Sequence, residues 1–132
     1  MKRTILLAFV AAFAAGCTTV QYAEKYNGVK AEHGRVPIAT VEIENSGWFL
    51  LGCIPLASGN PEKPGECSCR FFKNTVTLQN NCAVLERTVK KAGATSVVNL
   101  TSHWTDESAF MILLKRRACH TSAVLLKAEE QE

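Results

Sequence analysis

The sequence lacks a strong net charge, a long apolar run and the common catalytic motifs. Fifteen Lys and Arg face twelve Asp and Glu in 132 residues, a formal net charge of +3. Binding to nucleic acid requires a clearer basic excess, so this class of partner is not predicted. A nucleophile elbow, a phosphate-binding loop and a zinc-protease helix are all absent. The sequence therefore predicts neither a catalytic site nor a cofactor.

The first sixteen residues have the three parts of a secretory signal peptide. Lys2 and Arg3 form a charged start, residues 5–15 are uncharged and apolar, and Gly16 closes a run of small residues. The apolar run is shorter than the roughly 20 residues that a membrane-spanning helix needs. A short apolar run followed by small residues is typical of a cleaved signal. We therefore predict removal of residues 1–16, which leaves one domain with nearly balanced charge.

Cys17 directly follows this segment. Ala15-Gly16-Cys17 resembles the lipobox of bacterial lipoproteins, in which a small residue precedes the cysteine that receives the lipid. Ala14 departs from the leucine that is usual at its position. The resemblance implies cleavage before Cys17, lipidation of its thiol and new amine, and, because Thr18 is not Asp, an outer-membrane location facing the periplasm. Cleavage at an Ala-x-Ala-like site, which would leave a soluble secreted protein, is the alternative.

The rest of the chain predicts a single α+β domain over residues 37–128. Residues 17–36 are mostly polar and without a sustained period, so we expect them to form a lipid-anchored tether, and residues 129–132 to form an acidic tail. Period-two patterns or apolar runs predict strands over 38–44, 48–56, 67–72, 94–104, 109–117 and 121–127. Turns or bends are expected between them, at 45–47, 105–108 and 118–120.

One helix is predicted over about residues 75–92. Its apolar stripe consists of Leu78, Cys82, Leu85, Val89 and Ala92. Lys90 and Lys91 suit the carbonyl end of the helix dipole, and Gly93 is a typical C-terminal cap. A helix between groups of strands predicts a largely antiparallel sheet with the helix packed on one face.

Five cysteines follow Cys17, and the compartment outside the inner membrane permits disulfides. They are Cys53, Cys67, Cys69, Cys82 and Cys119. Cys53 precedes the loop of residues 58–66 and Cys67 or Cys69 follows it, so we favour a bridge across this loop. Sequence alone does not choose among the pairings. Cys82 is expected to be a small apolar core residue on the helix stripe.

Cys67 and Cys69 also allow a different interpretation, a thiol-redox or metal-binding site. Two thiolates from Cys-x-Cys could combine with His103 and His120 in a tetrahedral site. The signal is weak because the chain has no second close cysteine pair and no Cys-x-x-Cys. We therefore predict no metal and keep the redox or metal protein as the alternative function.

The last candidate site is a partner surface at Trp48 and Phe49, which stand beside Gly52 and Pro55. Aromatic residues next to a loop anchor partners, although they more often fill a core. Residues 46–56 and 92–98 are similar to stretches of small, uncharacterised envelope lipoproteins, a resemblance that brings no known activity. The sequence thus predicts a non-enzymatic binding or scaffolding module tethered through Cys17, whose partner is an envelope protein or a second copy of its own sheet.

Overall fold

The computed structural model describes residues 17–24, 34–66, 68–109 and 113–128, which form one antiparallel sheet and one helix. The predicted signal segment and the acidic tail lie outside these residues. The elements are β1 (Thr18–Ala23), β2 (Arg35–Leu50), β3 (Ile54–Gly59), β4 (Cys69–Phe71), α1 (Leu78–Ala92), β5 (Ser96–Ala109) and β6 (Leu114–Ala128). The predicted α+β class is confirmed.

The strand order is β4-β3-β2-β6-β5, and β1 also pairs with β2. β6 accompanies β2 from end to end. On the other side of β2, β1 pairs with residues 40–45 and β3 with residues 47–50. β1 and β3 therefore share one edge of β2 and follow each other along it.

β2 is a single strand, so the turn predicted at Asn45-Ser46-Gly47 is wrong. Asn45 and Ser46 are buried and point to opposite faces of the sheet. Gly47 serves close packing rather than a turn, because a Cβ there would lie 2.9 Å from Cβ of Ser58 and 3.0 Å from Cγ2 of Val76. A glycine inside a strand often marks such a close approach.

β5 and β6 are also longer than predicted. The turn expected at 105–108 and the bend expected at 118–120 are wrong, because β5 pairs with β6 from Ala109 opposite Leu114 to Ser96 opposite Leu126. Asp106 lies opposite Arg117, and the Arg117 Nε–H donates to its carboxylate at 2.9 Å. Charges that suggested a turn thus form cross-strand pairs.

α1 packs on one face of the sheet, over β2 and β6. The Thr77 hydroxyl caps its start by accepting from the Asn80 backbone N–H, and Gly93 ends it with φ of 66°. The main core cluster contains Ala39, Val41, Ile43, Val84, Leu85, Ala123 and Leu125. A smaller cluster beyond the helix start contains Phe49, Val76 and Cys119.

The buried face of α1 differs from the predicted stripe. Its buried residues are Asn81, Val84 and Leu85, whereas Cys82 is exposed, so the core position predicted for Cys82 is wrong. The Asn81 amide donates to the Cys119 carbonyl at 2.8 Å and lies 3.0 Å from Thr121 Oγ1. These bonds turn a polar residue toward the sheet and rotate Cys82 outward.

Candidate functional site

Cys17 is fixed to the domain through its backbone. Its carbonyl oxygen accepts from the Ser46 backbone N–H at 3.1 Å and from the Ser46 hydroxyl at 3.3 Å. The next residue, Thr18, is 1% exposed and begins β1 opposite Asn45. No flexible spacer separates Cys17 from the sheet, so the tether predicted over residues 17–36 is wrong for Thr18–Ala23. It is also wrong for Arg35 and Val36, which begin β2.

A buried network of hydrogen bonds holds Thr18 in place. Its hydroxyl donates to Oδ1 of Asn45 at 3.0 Å, and Nδ2 of Asn45 donates to the Thr75 carbonyl at 2.5 Å. Oγ1 of Thr75 in turn lies 2.7 Å from Oγ of Ser58 and 2.6 Å from the Gly59 carbonyl oxygen. Because the four side chains are buried, water does not compete for these bonds.

Two glycines complete the enclosure of Thr18. A Cβ on Gly59 would lie 2.6 Å from the Thr18 backbone nitrogen and 2.7 Å from the Cys17 carbonyl carbon, closer than real Cβ atoms approach. The Gly65 N–H donates to the Thr18 carbonyl at 2.8 Å. We call the contacts of Cys17 and Thr18 with Asn45, Ser46, Gly59 and Gly65 the Cys17 clamp. It fixes the position at which a group attached to Cys17 would leave the domain.

The cysteines that follow are dispersed over the fold. Cys69 pairs with Gly59, six residues along β3 from Cys53. At about 3.3 Å per residue this separation is about 20 Å, beyond the roughly 7 Å that a disulfide allows. The bridge predicted between Cys53 and Cys69 is therefore wrong. Cys67 lies outside the described residues, so its pairing stays a prediction.

Cys119 should resist alkylation in the folded protein, whereas Cys53 and Cys82 should react. All three carry free thiols, but Cys119 is fully buried and the other two are exposed. Burial also raises the pKa of the Cys119 thiol and lowers its thiolate fraction. Intact mass after iodoacetamide should show one label fewer in each of C53S and C82S. A label on Cys119 without denaturant would contradict the burial.

His103 and His120 lie together in the fold, but Cys69 is far from them. His103 and His120 face each other across β5 and β6, with ring centroids 4.7 Å apart and planes within 6°. Cys69 lies on β4, three strands from β6 and so at least about 14 Å away. Within the described ranges, no three Cys, His, Asp or Glu side chains are placed to hold a metal ion.

Trp48 and Phe49 do not form an exposed partner surface. Phe49 is buried against Val76 and Cys119, with the Arg117 guanidinium 5.5 Å from its ring centroid. Trp48 is half-buried on the opposite face of the sheet. The predicted surface is wrong for Phe49, since the strand alternates and places this ring in the core.

Exposed apolar side chains are found instead at one corner of the sheet, which sequence reasoning missed. They are Leu51, Ile54, Phe71, Phe72 and Leu113, each about half exposed or more. We call this set the apolar corner. Its residues stand in apolar runs that look like core sequence. A local signal of the turn at Leu51 is Gly52, which follows it.

A half-open groove of about 650 Å³ lies between β1 and α1. Val20 and Tyr22 line it from β1, and Val84, Arg87 and Lys91 line it from α1. Its floor is apolar and its helix wall is basic, and the acidic residues Glu24 and Glu62 also line it. Besides the apolar corner, this groove is a second surface that a binding protein could use.

Comparison with models of known families, with curated proteins and with solved structures finds no match to this chain. Among the described residues, no helix has both the length and the apolar character needed to cross a membrane. The features from which a function can be inferred are the Cys17 clamp, the apolar corner and the outer edge of β5, which pairs with no other described strand.

Proposed function

We propose that the protein is a bacterial envelope lipoprotein, anchored in the outer membrane through lipid on Cys17 and facing the periplasm. The observation that carries this proposal is the Cys17 clamp, which holds the predicted lipid-bearing residue directly on the sheet. Each buried methylene of an acyl chain contributes about 0.8 kcal/mol, so several chains on one cysteine hold a domain firmly. The clamp would keep that domain against the membrane rather than at the end of a tether.

The domain itself is proposed to be a non-enzymatic binding or scaffolding module. β5 spans 14 residues, and its outer edge pairs with no other described strand. Leu100 and Trp104 are exposed along it. An unpaired edge can add an extended segment of a partner, or the same edge of a second copy, through backbone hydrogen bonds. The bulge between Val98 and Thr101 interrupts the first part of the edge, so we expect pairing over its second part.

Replacing Cys17 with serine should abolish membrane attachment. The native protein extracted from membranes should begin at Cys17 and carry an acyl mass, whereas C17S should lack this mass and move to the soluble fraction. C53S, which removes an exposed thiol elsewhere, is the matched control and should remain acylated and membrane-bound. Intact-mass analysis with fractionation measures both properties.

Native protein without an acyl mass, or C17S retained in membranes at high salt, would contradict the anchor. The same spectra test the alternative based on Cys67 and Cys69. A zinc mass retained under native conditions, or rapid reversible oxidation of these two thiols, would favour a metal or redox protein.

A further inference from the structure

The apolar corner forms where several strands end together. The Leu51 N–H donates to the Leu113 carbonyl at 2.7 Å, which joins the β2–β3 turn to the start of β6. The Phe72 N–H donates to the Leu56 carbonyl at 3.2 Å, which joins the end of β4 to β3. Leu56 is two residues from Ile54, about 7 Å along the strand. The exposed side chains therefore share one end of the sheet.

Two residues of the corner hold unfavourable backbone conformations. Leu51 has φ of 52° and Phe72 has φ of 54°, in the left-handed region that favours glycine and asparagine. Leu51 and Gly52, both with positive φ, are central in a turn closed by the Cys53 N–H and the Leu50 carbonyl. Asn-Gly is the usual pair in such a type I′ turn. Strained residues that do not fill the core are expected where a contact outside the domain uses them.

Two lysines flank these apolar side chains. Lys73 directly follows Phe72, and the Lys115 side chain lies so close to Gly52 that a Cβ there would be 3.2 Å from Lys115 Cδ. Within the part of the chain that the structure describes, neither lysine has a carboxylate at ion-pair distance. Apolar side chains bordered by lysine are typical of surfaces that bind anionic membranes.

The corner lies near the Cys17 clamp. Ser46, which binds the Cys17 carbonyl, is five residues before Leu51 on β2, about 16 Å away. Cys69 pairs with the β3 glycine that packs on Cys17, and it stands three residues, about 10 Å, before Phe72. β5, by contrast, is at the far edge of the sheet from β4.

From these observations we infer that the apolar corner is a second membrane contact, which enters the headgroup region of an anionic bilayer. The inference rests on the proposed lipid anchor and specifies how the anchored domain is oriented. Lipid on Cys17 and the corner would enter the same leaflet, which leaves the start of β5, opposite Leu126, farthest from the membrane. Two contacts hold a protein on a membrane far longer than one.

Fluorescence depth measurements on the mature acylated protein test the orientation. An environment-sensitive fluorophore is attached to Cys53, in the turn of the corner, in the C82S variant, and to Cys82 on α1 in the C53S variant. Intact mass verifies single labelling. In phosphatidylcholine vesicles containing phosphatidylglycerol, a lipid-borne quencher should quench the Cys53 label several-fold more than the Cys82 label. Omitting the anionic lipid should reduce this difference.

Asparagine substitutions at the two strained positions should weaken the membrane contact without lowering the stability of the fold. L51N combined with F72N should bring quenching of the Cys53 label down to that of the Cys82 label. Because asparagine tolerates positive φ, the melting temperature should stay the same or rise by about 3 °C. The matched control is V36N, on an exposed valine at the opposite end of the sheet, where Val36 pairs with Lys127. It should leave quenching unchanged.

The outcomes distinguish this inference from the anchor. Protein without acyl mass that does not float with vesicles would refute the proposed function itself. Acylated protein that floats, with both labels equally open to an aqueous quencher, would refute the membrane contact and leave the anchor standing. Shielding of the Cys53 label without vesicles, rising with protein concentration, would assign the corner to a second copy and also overturn the inference.

Discussion

Substituting aspartate for Asn45 should lower the free energy of unfolding by about 3–5 kcal/mol at neutral pH, the typical cost of an uncompensated buried charge. Asn45 is fully buried, and its amide nitrogen donates to the Thr75 carbonyl at 2.5 Å. A carboxylate at this position cannot donate and would face that carbonyl oxygen. Such a loss is a large part of the 5–15 kcal/mol that stabilises an ordinary domain. Urea denaturation monitored by circular dichroism measures it.

The loss of stability caused by the Asn45→Asp substitution should become smaller as the pH falls. Burial beside a carbonyl raises the pKa of the introduced carboxyl in the folded protein above its unfolded value of about 3.9. The protonated carboxyl can donate to the Thr75 carbonyl again, so the difference from the native protein should narrow as the pH drops through the folded pKa toward about 4. A difference that stays constant over this range would contradict the buried-charge explanation.

N74D is the matched control for this substitution. Asn74 is exposed, and its side-chain oxygen accepts from the Val76 N–H at 3.1 Å, a bond that a carboxylate keeps. We expect its effect to stay within about 0.5 kcal/mol, as for ordinary surface changes. Equal losses in N45D and N74D would mean that burial of Asn45 is not what makes it important.

The sheet and the helix follow from local patterns in the sequence. Ala39, Val41 and Ile43 alternate with polar neighbours, as expected for a strand with one buried face, and all three are in the core. Gly93 ends α1 in the left-handed conformation that its position after Ala92 predicts. Each of these signals depends on residues close in sequence, so the α+β class could be predicted.

The Cys17 clamp could not be predicted in the same way. Asn45-Ser46-Gly47 has the composition of a turn, but its residues bind partners remote in sequence. Asn45 bonds to Thr18, 27 residues earlier, and to Thr75, 30 residues later. Local composition therefore indicated a turn where tertiary contacts stabilise a strand, and it indicated a tether where Thr18 is buried.

At the apolar corner, the local sequence pattern predicts burial where the structure shows exposed side chains. Leu50-Leu51 and Phe71-Phe72 are pairs that a hydropathy pattern assigns to the interior. Only the positive φ of Leu51 and Phe72 and the strand register show that they end at a corner of the sheet. Cys17, in contrast, is a candidate because of its immediate neighbours in sequence, and its lipidation stays a prediction.

The Gly59→Ala substitution should release β1 from the sheet without unfolding the rest of the domain. The new methyl group would lie 2.6 Å from the Thr18 backbone nitrogen, and backbone atoms cannot rotate away as a side chain can. Overpacking of this kind typically costs about 1–3 kcal/mol. Hydrogen exchange should show faster exchange of the β1 amides that pair with β2, while the amides of α1 stay protected.

Gly34→Ala provides the control for backbone effects. Gly34 has φ of +66°, and no atom of the described residues lies within 4 Å of an added Cβ, so its substitution costs the left-handed conformation, about 1 kcal/mol. It should leave the exchange of β1 unchanged. If Gly59→Ala and Gly34→Ala lower the free energy of unfolding by the same amount and leave the β1 amides equally protected from exchange, the contact of Gly59 with Thr18 does not hold β1 in place.

Release of β1 also tests whether the clamp transmits the orientation of the lipid anchor to the domain. In acylated Gly59→Ala protein, Cys17 keeps its lipid, but the segment after it becomes a flexible link. If the clamp presses the apolar corner onto the bilayer, the Cys53 label should lose much of its protection from an aqueous quencher while the acyl mass and flotation persist. A label that stays protected would show that the corner binds the membrane by its own affinity, and the clamp would then contribute to stability alone.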